Sequence, residues 1–150
     1  MALFVINEWF WHDSAGDNGN AAQKDALDFI GRLAASQHQI VVIEGSRFDQ
    51  KAWALCKSQN TIVKVLVKLF LNDIRVNSER CLLLKPDAAS ALSDELLSAV
   101  KPDDHHLVCA QLSAPGSVLI TTDTTLREAL GLKGLPTLSR DEFFAQYFGA

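Results

Sequence analysis

The chain has few of the residues that several common kinds of site require. Its three cysteines, Cys56, Cys81 and Cys109, are an odd number, lie far apart, and have apolar neighbours such as Leu55, Leu82 and Val108. No Cys-x-x-Cys pair occurs. That spacing argues against zinc and reads as buried thiols of a reducing, cytoplasmic compartment. The sequence also lacks a nucleophile elbow, a phosphate-binding glycine loop and a dinucleotide fingerprint.

Long apolar runs are scarce as well. Met1 to Trp11 is apolar but short, has no basic lead and is broken by Asn7 and Glu8, so a core strand is expected there rather than a signal peptide or membrane span. Lys64 and Lys68 interrupt the run from Ile62 to Leu71. No membrane partner is expected. Basic residues are the minority charge, 14 against 18 acidic, for a net charge of −4. That balance argues against broad, non-specific nucleic-acid binding, which depends on neutralising phosphates, but it leaves room for a nuclease with a local basic strip.

What is present suits one ordinary domain. At 150 residues, with 48% apolar and 21% charged side chains, the chain is long enough for one continuous core and needs neither disorder nor disulfides to explain it. No repeat or linker divides it. Short apolar runs alternate with helical periodicity, which predicts an α/β fold: three layers, α/β/α, around a mostly parallel sheet. Strands are expected at Ala2–Ile6, Gln39–Ile43, Cys81–Leu84 and Ser117–Thr121. Helices are expected after Asn20, placed as a cap, and over Ser46–Lys57, from near Ser93, over Asp104–Leu112 and over Thr124–Leu130. The segment Ile62–Ile74 has helical length but many β-branched residues, and is read as a helix. A capping-box pattern, Ser139 to Glu142, opens the last helix.

In an open parallel sheet, ligands bind beyond the carboxyl ends of the strands. Three such ends are polar here: Ile6 runs into Asn7 and Glu8, Ile43 into Glu44, and Thr121-Thr122 into Asp123. Asp103 and Asp104 open a helix expected on the same side. Carboxylates gathered in one place repel unless a cation or ligand neutralises them, and magnesium or manganese is the natural candidate. The competing explanation is that Asp104 and Asp123 each cap a helix, contributing about 1 kcal/mol.

The stretch Pro102-Asp-Asp-His-His-Leu-Val-Cys-Ala-Gln-Leu112, with Ser117-Val-Leu-Ile-Thr-Thr-Asp-Thr-Thr-Leu126, resembles the PIN domain family. Members of that family have an Asp opening a small-residue helix, then a strand and a Thr-x-Asp-x-x-Leu turn. Leu135 to Phe144 is similar to the family's closing strand and helix, and Leu3-Phe-Val-Ile-Asn-Glu8 to its opening strand. The likeness spans the first strand and the last third of the chain. It implies a PIN-like fold and a metal-dependent ribonuclease site using Mg2+ or Mn2+. Asp104 and Asp123 would hold the metal, with Asp103 beside them. The opening strand normally runs into an Asp, but Asn7 stands there, a neutral oxygen in place of an anionic one. Glu8 replaces it only if the strand has already ended, because strand neighbours point to opposite faces. An auxiliary acid falls on Asp49 or Glu44, with Asp49 preferred. The family's commonest setting implies a bacterial toxin with a protein inhibitor, an antitoxin, and a homodimer.

Other residues admit two roles each. Thr121 or Thr122 could position a water or a phosphate, or simply suit a strand end. His105 and His106 are expected to face solvent at a helix start. Lys57, Lys64, Lys68 and Arg75 would align on a continuous helix and track an RNA backbone, or form its wet face. Trp9 and Trp11 could stack on a base or pack against a partner. Two broader alternatives compete with a nuclease for single-stranded RNA: a degenerate PIN-like module that binds RNA or protein without cutting, and an α/β domain with ordinary helix caps and an unrelated ligand.

Overall fold

Alternation within the strands decides the architecture. In β1 (Leu3–Ile6), Phe4 and Ile6 point to one face of the sheet while Val5 points to the other, and all three are buried. A strand buried on both faces needs cover on both, so helices flank the sheet on each side. The computed structural model describes residues 1–149 and, among them, carries five strands in the order β3-β2-β1-β4-β5, every neighbouring pair parallel. The others are β2 (Gln39–Ile43), β3 (Cys81–Leu84), β4 (Val118–Ile120) and β5 (Thr137–Leu138). Phe4 lies opposite both Ile40 and Val118, which fixes β1 at the centre.

One face is aromatic. Phe4 and Ile6 pack there with Trp9, Phe10 and Trp11 of α1 (Trp9–Ser14), Phe29 of α2 (Asn20–Ala34), Phe48 of α3 (Arg47–Leu55), Phe70 of α4 (Thr61–Phe70) and Phe143 of α8 (Arg140–Phe148). The ring of Phe10 lies 5.5 Å from those of both Phe29 and Phe70, so α1 is pinned between α2 and α4. The opposite face is aliphatic, with Val5, Val41 and Leu119 against α5 (Asp94–Ala99), α6 (His105–Ser113) and α7 (Thr124–Leu132). The expected three-layer α/β/α fold around a mostly parallel sheet is what forms.

Several local expectations shift. Trp9 and Trp11 are core residues, 5% and 2% exposed, whose indole N–H groups donate to the carbonyls of Ile120 and Phe48, so neither is free to stack on a base. Asn20 is the first helical residue of α2 rather than its cap. Gly19 takes that place at φ 96°, a left-handed conformation that glycine adopts without strain. The ambiguous segment is helical: Val63, Leu66, Val67 and Phe70 recur at helical spacing and are buried, and Asn60 caps them. The helix then widens into a π-turn, Leu71–Arg75. That turn breaks the expected basic stripe, because Arg75 swings inward instead of following Lys68 along one face. α7 also runs through Gly131 instead of ending there. No helix among the described residues is long and apolar enough to cross a membrane.

Candidate functional site

The strand order turns around between β1 and β4: from β1 the chain moves outward through β2 to β3, then returns to the other side of β1 for β4 and β5. Connections leave such a point in opposite directions, opening a crevice beyond the strand ends. A cleft of about 520 Å³ lies there. Asn7 enters it from the end of β1, Thr122 and Asp123 from the end of β4, and Asp103 and Asp104 from the turn that precedes α6. Five of the residues singled out from sequence, separated by more than a hundred positions, therefore share one cleft.

The floor is built by Thr121, which is fully buried. Its hydroxyl oxygen accepts from Asn7 Nδ2 at 2.9 Å and from the Asp123 backbone N–H at 3.1 Å. Asn7 Oδ1 in turn accepts from the Glu8 N–H at 2.6 Å. Asn7 is thus a clip between the ends of β1 and β4, with both ends of its amide engaged. Its N–H donor to Thr121 is one that a carboxylate could not supply; with Asp at this position the Thr121 hydroxyl would have to turn and donate instead.

Asp104 and Asp123 differ in what occupies them. Asp123 caps α7, its Oδ1 accepting from the Leu126 N–H at 3.1 Å, as the capping explanation requires. Asp104 precedes α6 but makes no cap hydrogen bond. Burial pushes the Asp104 carboxyl up from its ordinary value, and the neighbouring charges of Asp123, Asp103 and Glu8 push it further. Those three carboxylates therefore act on Asp104 across the cleft.

The basic residues expected to meet RNA, on and beside α4, do not line the cleft, and those that do, Arg47, Lys101 and Arg140, were not singled out from sequence. Arg47, the first residue of α3, pairs with Glu8 and, through Nη1, with Asp103 at 3.2 Å. Arg140, the first residue of α8, pairs with Asp13 at 2.6 Å and Asp25 at 3.2 Å, and stacks over Trp9 and Phe144. Lys101 also lines the cleft. The signal was available, since Arg47 and Arg140 each follow a strand end just as the acids do. Glu8 reaches the cleft because β1 has already ended at Ile6.

Other predicted residues lie elsewhere. Asp49 is buried and gripped by Arg75 through two bonds of 2.7 and 3.0 Å, and it accepts from the Gly45 N–H at 2.9 Å. It does not line the cleft, so its place is that of a buried ion pair anchoring α3 to the π-turn. Glu44 pairs with Lys85 at 2.8 Å, also outside the cleft lining. Lys64 and Lys68 are exposed on α4 and likewise do not line it. His106 is not solvent-facing: its Nε2 is buried without a hydrogen-bond partner among the described residues, and burial holds the ring below its ordinary pKa. The three cysteines are free thiols, but only Cys81 is buried as expected, Cys56 and Cys109 being half-buried; burial pushes Cys81 up to about 12, which makes it inert as a nucleophile.

No group of three His, Cys, Asp or Glu side chains among the described residues is arranged to hold a metal ion. A metal cage made wholly by protein does not fit this cleft. The hard cations Mg2+ and Mn2+ do not need one, because they keep several waters and bind through one or two carboxylates completed by substrate phosphate. Asp104, with no cap to satisfy, and Asp123, with one oxygen left over, fit that sparser mode. Comparison of the chain with protein-family models, curated proteins and solved structures finds no match in any of the three.

Proposed function

We propose that this domain hydrolyses phosphodiester bonds of single-stranded RNA in the cleft at the β1/β4 crossover, with Mg2+ or Mn2+ held by Asp104 and Asp123 and completed by waters and the RNA phosphate. The observation that carries this reading is the crowding of carboxylates around Asp104, whose proton is held more tightly first because the group is partly buried and then because Asp123, Asp103 and Glu8 share its surroundings. A divalent cation relieves that repulsion, and the resemblance to the PIN domain family supplies the chemistry it would serve.

When bound, such an ion activates a water for in-line attack and stabilises the leaving oxygen. The chain's own residues do the rest. Asp123 lines the cleft and is held by the Leu126 N–H through Oδ1, so its Oδ2 would serve the ion. Thr121 fixes the spacing of the two strand ends, and Thr122 lies at the rim where a phosphate would pass. Lys101 and the two arginines set three positive charges among the five carboxylates of the cleft lining, so a bound cation has to supply the rest of the positive charge that a phosphate chain needs.

Asn7 favours a second reading, a PIN-like module that holds RNA or protein without cutting. Its amide is already engaged by Thr121 and Glu8, and it adds no charge to the metal site. An assay on unstructured RNA with Mn2+, with and without chelator, separates the two. The nuclease reading predicts chelator-sensitive cleavage that is lost in Asp104→Asn and Asp123→Asn. Binding without cleavage selects the module. Asn7→Asp is expected to raise the rate if the missing charge limits it.

The toxin setting, with a protein inhibitor, a homodimer and a cytoplasmic location, belongs to the same proposal. The exposed apolar side chains Leu27, Ile62, Val65 and Leu69 on α2 and α4 support a partner-covered face.

A further inference from the structure

Leu27 of α2 and Ile62, Val65 and Leu69 of α4 are exposed apolar side chains that line one groove between the two helices. The helices run side by side in the same direction, since Asn20 and Thr61 line one end of the groove and Gly31 and Asp73 the other. Its polar rim is graded. Lys24 lies toward the first end, Asp28 and Asp73 toward the second, and none of the three forms an ion pair among the described residues. Gly31 is exposed inside α2, where glycine weakens a helix relative to alanine, and a Cβ there would meet nothing within 4 Å. Packing within the described chain gives no reason for that glycine, whereas a second helix passing close to α2 would.

We propose that this face seats a second copy of the chain, related by a two-fold axis that passes near Leu27 and Leu69. A two-fold interface needs a surface complementary to itself. An apolar stripe that is basic toward one end and acidic toward the other meets that need, because an antiparallel copy sets Lys24 of one chain against Asp73 of the other, and the symmetry repeats the contact. Helical spacing places the axis: Lys24 stands about one turn before Leu27 and Asp73 about one turn beyond Leu69, so the two leucines fall midway. Removing the apolar stripe from water drives the association, and the charges at its ends fix the direction. This names the occupant of the partner-covered face in the reading above and rests on no step in the cleft.

The test is sedimentation of the full chain over a range of concentrations, with variants at exposed positions. The parent is expected at twice the mass of one chain and Val65→Asp at the mass of one. Leu132→Asp, which removes an apolar side chain 88% exposed on α7, should sediment as the parent does. Lys24→Glu and Asp73→Lys are each expected to weaken the dimer about tenfold, since each turns two symmetry-related attractions into repulsions, and the double reversal to bring it back to within about threefold of the parent. Should Val65→Asp fail to fold, the charge reversals at the solvated rim still decide. A parent that stays monomeric, a dimer indifferent to Val65→Asp, or charge reversals that add instead of cancelling overturns the proposal. Cleavage of RNA is read in a separate assay, so none of these results bears on the cation-dependent reading.

Discussion

The two flanks of the cleft teach what a shared residue type does not determine. On the β5 side, Arg140 is enclosed by Asp13, Asp25, Trp9 and Phe144 and belongs to the framework. On the β2 side, Arg47 is half exposed and bridges Glu8 and Asp103. Both follow a strand and both open a helix. Burial and the two aromatic rings over Arg140 separate them, because a charge removed from water must keep its partner, whereas one left in water need not. The crowding of acids around Asp104 is therefore partly relieved by the protein itself, through Arg47 on Glu8 and Asp103, whereas Arg140 neutralises a separate pair, Asp13 and Asp25.

Asp13→Ala is expected to have the largest effect on stability, about 3 kcal/mol in urea unfolding, because it leaves the half-enclosed Arg140 without its closest partner. A loss near zero would erase the distinction between the flanks. On the floor, Asp123→Ala should lose about 1 kcal/mol with the α7 cap. Asp104→Asn should move stability the other way. The folded protein holds the Asp104 proton more tightly than the unfolded chain does, so this group adds stability at low pH and loses it as pH rises through its folded value. The parent should therefore gain on the variant as pH falls through the acidic range, and at neutral pH the variant should be the more stable. Thermal melts across pH read this directly, and parallel curves would remove the claim that the carboxylates crowd one another. The smallest effect belongs to Arg47→Ala, whose urea midpoint should match the parent's because the side chain is half exposed and its ion pairs are at the surface.

The fold was legible because its information is local. Phe4, Val5 and Ile6 alternate, Val63, Leu66, Val67 and Phe70 keep helical spacing, and Ser139 with Glu142 forms the capping box that the pattern announced. The site was legible in part. Residues next to strand ends, Asn7, Thr122 and Asp123, could be placed by rule, and Asp104 by its motif. What sequence could not show was which charges pair. Asp49 meets Arg75, 26 positions away, only because a π-turn redirects the arginine. Asp13 meets Arg140 across 127 positions. Trp9 and Trp11 look like a stacking surface until the turn after Ile6 winds them into a helix and buries them. His106, one residue after the start of α6, points inward for a similar reason: the helix begins at the wall of the core.

The most direct test of the account is the anomalous density of Mn2+ in crystals soaked at neutral pH. A cation held by Asp104 and Asp123 predicts one strong peak in the crossover cleft, coordinated at roughly 2.1 Å by oxygens of those two residues with waters completing the shell. A cleft without a peak at saturating Mn2+ would contradict it.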